Sequence, residues 1–324
     1  MQDNLSRRDF IQKAAVATGA VTTGAVTTGT LPFLTMDPVA AQPQAALPPV
    51  LIFSKHLQFL DYKEMAEKAA EIGFDGVDLT VRPGGHVLPE RVKTDLPKAV
   101  EAIKKAGIQP LMMTTAVEDA KGTDEVLLKT AAEQGIKYYR MNWYKYKEKE
   151  ALPDTLRQYK QQVTALSQLN KQLGLIGSYQ NHAGKLVGAS TWEIWQLLQG
   201  ANPDHMGVQY DIRHATVEGG LSWENGLRLL HPHIKILAIK DFVWANQNGK
   251  WAVKNVPLGE GMVDFKTYFG LLKQYNVQVP ISMHYEYGLG GAEHGSRTPT
   301  VDRQVIYDAM KRDLNKLKEL WTQV

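Results

Sequence analysis

A single (β/α)8 barrel is the fold this sequence predicts, and three observations predict it. Short apolar runs alternate with helical patterns without interruption, the alternation repeats eight times, and the repeats fill about 280 residues, the size of a closed barrel. Strands separated by helices pair in parallel through right-handed crossovers. An open doubly wound sheet is the competing arrangement, and the lack of a Gly-rich phosphate fingerprint after the first strand counts against it.

The elements follow in order. The run VLIFS, from Val50, opens the first unit and leads to YKEMAEKAAEIGF, in which Ala66, Ala69 and Ala70 share a helical face and Gly73 ends the helix. GVDLTV precedes a helix from about Leu96 to Ala106, and QPLMMTT one from Asp124 to Gln134. YYRMNW leads to a long helix from about Asp154 to Leu173, LIGSYQNH to one around Thr191 to Leu198, and MGVQYD to one from Trp223 to Leu230. IKILAIKD precedes Phe265 to Tyr275, and PISMHYEY precedes a helix that runs to the C-terminus.

Ahead of the first unit, SRRDFIQKAAVATGAVTTGAVTTGT places Arg7 and Arg8 before a weakly apolar Gly/Thr/Ala stretch and resembles a twin-arginine export signal. Residues 1–41 are therefore expected to be a signal peptide cut after Ala41, residues 42–49 a flexible Pro-rich leader, and residues 50–324 the barrel domain. The expected location is the periplasm or another exported compartment. No stable membrane insertion is expected after cleavage.

Composition narrows the partners. With 44% hydrophobic and 22% charged residues the chain is a globular protein, and a formal net charge of +3 spread over scattered basic residues gives no track for nucleic acid. The lack of cysteine removes disulfides, thiolate metal sites and thiol nucleophiles. Homo-oligomerisation is left open.

Active sites of barrel enzymes lie at the C-terminal ends of the strands, and residues two apart on a strand share a face. His284 and Glu286 therefore point the same way, into the mouth if Ile281 and Met283 pack outward. The same parity puts Asp78, Thr80 and Arg82 together on the second strand, Arg140 and Asn142 on the fourth, and Gln180 and His182 on the fifth. Gln209 and Asp211 end the sixth, Ala238 and Lys240 the seventh. So many polar ends need partners, because burying them unpaired is costly. Singly, each has a plainer use: His182 as a loop cap, Arg140 as counter-ion to Asp78, Lys240 reaching out of the barrel, Asp241 accepting from backbone.

These strand ends resemble the sugar isomerase/epimerase superfamily of barrels, which includes xylose isomerase-like enzymes, tagatose 3-epimerase, inosose dehydratase and endonuclease IV. YDIRHA, with Asp211 and His214, is the most specific motif; YQNH, AIKD and HYE match the ends of strands five, seven and eight. The resemblance implies a Glu, Asp, His, Glu metal set, and the matching positions here are Gln180, Asp211, Ala238 and His284. One divalent ion, Mn, Co, Ni or Zn, held by Gln180, Asp211 and His284 is what survives of that set, and metal-free chemistry is the other expectation. No nucleotide cofactor is implied.

The expected partner is a small sugar, and the expected reaction is proton abstraction next to a carbonyl: isomerisation, epimerisation, or β-elimination as a lyase. Glu286 or His284 would be the base, and Lys240 would stabilise the enediolate oxygen. Arg140, Asn142, His182, His214, Trp143 and His294 would bind substrate, with Tyr144, Tyr179, Tyr285 and Tyr287 as further aromatics near the strand ends. The Gly-rich loop GLGGAEHGSRTPT is expected over the mouth, with RPGGHVLPE as the opposite wall. A non-catalytic carbohydrate-binding barrel that has lost the family's metal site is the alternative.

Overall fold

In the computed structural model, which describes residues 46–324, eight parallel strands close into a barrel. They are β1 (Val50–Phe53), β2 (Gly76–Val81), β3 (Gln109–Thr115), β4 (Tyr138–Arg140), β5 (Ile176–Gln180), β6 (Met206–Asp211), β7 (Ile234–Ile239) and, last in the barrel, β10 (Ile281–Met283). Each pairs with its neighbour in sequence, and β10 closes the ring on β1 with Val50 opposite Ile281. At the N-terminal rim the Ile281 N–H donates to the Pro49 carbonyl, so the chain enters the barrel at the end away from the mouth. The signal peptide and the first half of the leader expected from the sequence lie outside the described residues.

Around the barrel run α1 (Tyr62–Ile72), α2 (Val92–Lys105), α3 (Gly122–Glu133), α4 (Leu152–Leu173), α5 (Thr191–Leu198), α6 (Ile212–Gly219), α7 (Trp223–Leu230), α8 (Phe265–Gln274) and α9 (Arg303–Thr322). Local chemistry sets their ends. Asp61 and Glu64 form a reciprocal capping box at the start of α1, and Gly73 closes it in the left-handed region at φ 104°. The helices bury one face against the outward residues of the strands. Inside the barrel Leu51, Met112 and Ile236 form a separate apolar layer, and Asp78, Thr114, Arg140, Asp211 and Ser282 stand on the same inward face nearer the mouth.

Two register shifts shape the ring. At Gly76 a Cβ would lie 2.3 Å from the Gln109 carbonyl oxygen, and at Gly207 one would lie 2.1 Å from the His233 carbonyl oxygen. Both glycines adjoin the irregular steps in β2–β3 and β6–β7 pairing, where backbones approach too closely for any side chain.

The structure adds two elements that the sequence reading does not contain. Helix α6 starts directly from the end of β6, with the Asp211 carboxylate accepting from the His214 N–H as its cap. After β7, the antiparallel strands β8 (Asp241–Gln247) and β9 (Lys250–Val256) form a hairpin. Its two-residue turn is Asn248-Gly249, both at positive φ (52° and 81°), as the twist of a tight hairpin requires. Asp241 anchors this excursion: its carboxylate accepts from the N–H groups of Phe242, Val263, Gly259 and Gly261 at 2.8–3.2 Å. Among the described residues no helix is long and apolar enough to cross a membrane.

Candidate active site

The polar strand ends meet in a network centred on Lys240, which is 5% exposed and points inward. Its Nζ lies 3.0 Å from Glu286 Oε2, 3.2 Å from Asp211 Oδ2 and 3.0 Å from His214 Nε2. Glu286 Oε1 accepts from Lys55 Nζ at 3.1 Å and stands 3.8 Å from His284 Nδ1. Burial works to raise the Glu286 carboxyl, but Lys240 and Lys55 outweigh it and hold it well below the usual carboxylate range. Burial lowers the Lys55 ammonium, against the pull of Glu286.

Asp211 is held in place by two neighbours. Gln180 Nε2 donates to its Oδ2 at 2.8 Å, and Asn181 accepts from its backbone N–H and donates to its carbonyl. Arg213 reaches over His214, with one guanidinium nitrogen 2.9 Å from His214 Nδ1 and another donating to Asn255 on β9. Asn255 in turn donates to the Glu286 carbonyl, so the hairpin is tied to the network.

From His214 the site continues as a ring of stacked groups. His182 lies 4.0 Å from the His214 ring, Trp143 meets His182 edge-on at 4.7 Å, and the Arg140 guanidinium lies 4.0 Å over the Trp143 indole. On the other side His284 stacks on Phe53 at 4.4 Å, and Arg82 lies over the same Phe53. Neither ring nitrogen of His284 has a hydrogen-bond partner among the described residues. Burial brings His284 down to about 4 and, with the charge of Lys240, holds His214 well below and His182 below the ordinary histidine value, so all three rings are neutral at pH 7.

Not every expected residue joins this network. His294 lies in a short 3-10 turn between left-handed Gly291 and Gly295, and its side chain is 83% exposed. Asn142 donates to Glu118 and, with Trp143, lines a separate cleft of about 400 Å³. Tyr144, Tyr179 and Tyr285 are packing residues, buried with their hydroxyls donating to backbone carbonyls, and Tyr287 donates to Asp313. The two loops expected as opposite walls are neighbours: Arg297 donates to the Gly85 carbonyl. Of the plainer readings, Asp241 does accept from backbone, while Arg140 forms no ion pair with Asp78, which instead accepts from the hydroxyls of Thr114 and Ser282.

The donor set expected for a metal does not fit a divalent cation. Of the expected donors Gln180, Asp211 and His284, the one acid, Asp211, already faces the Lys240 ammonium, Gln180 turns its amide N–H toward Asp211, and Ala238 at the matching fourth position has nothing to coordinate with. Among the described residues no three His, Asp or Glu side chains converge as a metal group. Lys55, Asn181, Arg213 and Asn255 escaped the sequence reading. Lys55 follows the first strand by two residues, Asn181 and Arg213 sit inside quoted motifs, and the Asn-Gly turn marks the hairpin that carries Asn255.

Residues 66–300 match the family model described as xylose isomerase-like TIM barrel. No protein of curated function matches the chain. Among solved structures, the probable 3-DHS dehydratase AsbF of Bacillus anthracis is similar at 14% identity, covering 84% of this chain and 99% of its own, with a TM-score of 0.62. The 3-keto-D-glucoside 4-epimerase of E. coli is similar at 14% identity, covering 79% and 94%, with a TM-score of 0.59. A xylose isomerase-like TIM barrel protein from Mycobacterium smegmatis, solved in complex with magnesium, shares 13% identity over 82% and 98%, also at 0.59. At these identities the likeness is one of fold.

Proposed function

The chain belongs to the xylose isomerase-like TIM barrel family, and from that premise we propose that it acts on a sugar or keto-sugar by removing a proton next to a carbonyl. The observation that carries this reading is the His284–Glu286–Lys240 arrangement. Glu286 stands on the Nδ1 side of His284, which favours a proton there and leaves Nε2 free as the base. Lys240, held between Glu286 and Asp211, is a fixed cation for the oxygen that becomes negative. In the proposed step His284 Nε2 takes the proton, the C–H electron pair moves toward the carbonyl, and the enediolate oxygen is met by the Lys240 ammonium. Returning the proton to the neighbouring carbon, with the hydroxyl proton passing from one enediolate oxygen to the other, isomerises the sugar; a proton delivered by water from the opposite face epimerises it; and expulsion of a β-substituent with its bonding electron pair makes the enzyme a lyase. The similar fold of a 3-keto-D-glucoside 4-epimerase and of a probable dehydratase is consistent with this range.

The test is proton exchange. Keto-sugars and keto-glycosides incubated with the protein in D2O are expected to lose the NMR signal of the proton beside the carbonyl, and His284→Ala or Lys240→Met to abolish that loss. A second reading, a carbohydrate-binding barrel without turnover, is favoured by Ala238 and Gln180 at positions where the family's metal set is expected. It is the better one if a sugar raises the melting temperature while no proton exchanges.

We also propose export by the twin-arginine route, on the Arg7-Arg8 segment outside the described residues. Lysine at both positions is expected to hold the precursor in the cytoplasm; unchanged fractionation would remove the support.

A further inference from the structure

The mouth carries more cations than carboxylates, and the carboxylates are already engaged. Asp78 accepts from Thr114 and Ser282, Asp211 from Gln180 and Lys240, and Glu286 from Lys55 and Lys240. Arg213 is engaged with Asn255 and His214. Two guanidinium groups remain. Arg140 is 2% exposed, its NH1 is buried without a hydrogen-bond partner, and no carboxylate among the described residues lies within ion-pair distance of it. Its face is covered by Trp143, which leaves the N–H edge as the part that can bind. Arg82 lies over Phe53 and likewise has no ion-pair partner among the described residues.

The two arginines share a place. Arg140 is in register with Thr114 on β3, Thr114 with Thr80 on β2, and Arg82 follows Thr80 by two residues on the same inward face. They are near enough to repel: after burial, Arg82 is the next influence lowering Arg140, which comes down to about 9. Asp78 attracts both arginines, but at Arg140 the repulsion from Arg82 outweighs that pull, and an anion bound between the guanidinium groups would relieve it.

We propose that Arg82 and Arg140 form the anion end of the substrate pocket and that the sugar is an acid, its carboxylate held by the two guanidinium edges. This rests on the proton-abstraction reading above and names its substrate class. A planar carboxylate suits the edge of a guanidinium whose face is stacked, since both its oxygens can accept in one plane.

The experiment is calorimetric titration of the full-length protein with D-glucuronate, D-galacturonate, D-glucose and D-glucose 6-phosphate, repeated for Arg140→Gln, Arg140→Lys, Arg82→Gln and His284→Ala. A uronate is expected to bind at least about tenfold more tightly than D-glucose, about one decade of Kd. That preference is expected to vanish in Arg82→Gln and Arg140→Gln and to persist in His284→Ala. Should Arg140→Gln fail to fold, Arg82→Gln and Arg140→Lys carry the comparison. Equal binding of uronate and glucose, no binding of any, a preference that survives the arginine changes, or tighter binding of the phosphate each overturns the proposal. Arginine-dependent uronate binding without proton exchange on any sugar keeps the anion site and sinks the chemistry. Exchange on neutral keto-sugars, with no preference for acids, does the reverse.

Discussion

Lys240 and Glu286 meet at 3.0 Å, one from the end of β7 and the other from the segment just beyond β10. The pair brings together neighbouring staves of the barrel at the mouth and fixes the cation beside His284. Replacing one partner leaves the other charge facing Asp211 or Lys55, whereas removing both leaves less uncompensated charge. The Lys240→Met/Glu286→Gln double variant is therefore expected to be less destabilised than the sum of the singles, with a coupling of about 1–3 kcal/mol in urea unfolding. Proton exchange should fall by about 10²-fold or more in either single variant.

The pH dependence follows from the buried histidines. His284 goes from an ordinary value of 6.5 down to about 4 on folding, because burial disfavours its charged form. Between these values the unfolded chain binds the proton and the folded chain does not, so stability contributed by His284 is complete above 6.5 and is lost as pH falls toward 4. Asp78 runs the other way, raised by burial from 3.8 to about 6, and offsets part of the effect. With His182 and His214 also lowered, the melting temperature is expected to fall from pH 6.5 to pH 4, less steeply in His284→Phe. If His284 is the base, the acid limb of kcat/KM lies near 4 rather than 6.5.

Asp241 supplies the acceptor for four backbone N–H groups on the hairpin and the segment after it. Asp241→Ala leaves these donors without that acceptor in a buried place and is expected to cost about 2–4 kcal/mol, read from the shift in urea midpoint. Asn255 rides on the same hairpin, so proton exchange should decline with it.

Chelation separates this site from one built on a metal. With Lys240 set between the acid oxygens of Asp211 and Glu286, exchange is expected to stay within about twofold after EDTA treatment, and elemental analysis to find no stoichiometric divalent metal. A stoichiometric ion lost together with activity in Asp211→Ala would overturn this assignment.

The barrel was legible because helix and strand periods alternate and because strands covered on both faces read as apolar runs, VLIF and IKILAI among them. The hairpin was not, since its tip faces water and carries polar residues where a core strand would be apolar; the Asn-Gly pair was the available sign. Within the site, period-two geometry places residues that sit on or just past strands, and Lys240, Asp211 and Glu286 do meet. It says nothing of residues on turns and helices. Lys55 comes from a 3-10 turn, Arg213 from the first turn of α6, and His294 from a turn whose left-handed glycines direct it outward. Sequence also could not show that the ammonium of Lys240 would face Asp211, the one acid expected to hold a metal.

Because Pro49 meets Ile281 at the N-terminal rim, the chain enters the barrel at the pole opposite the mouth that holds Lys240. A tether attached directly ahead of Pro49 would hold the barrel by its base and leave the mouth facing the medium. Immobilisation through the N-terminus thus presents the mouth, and Lys240, buried between Asp211 and Glu286, is shielded from coupling chemistry aimed at lysines.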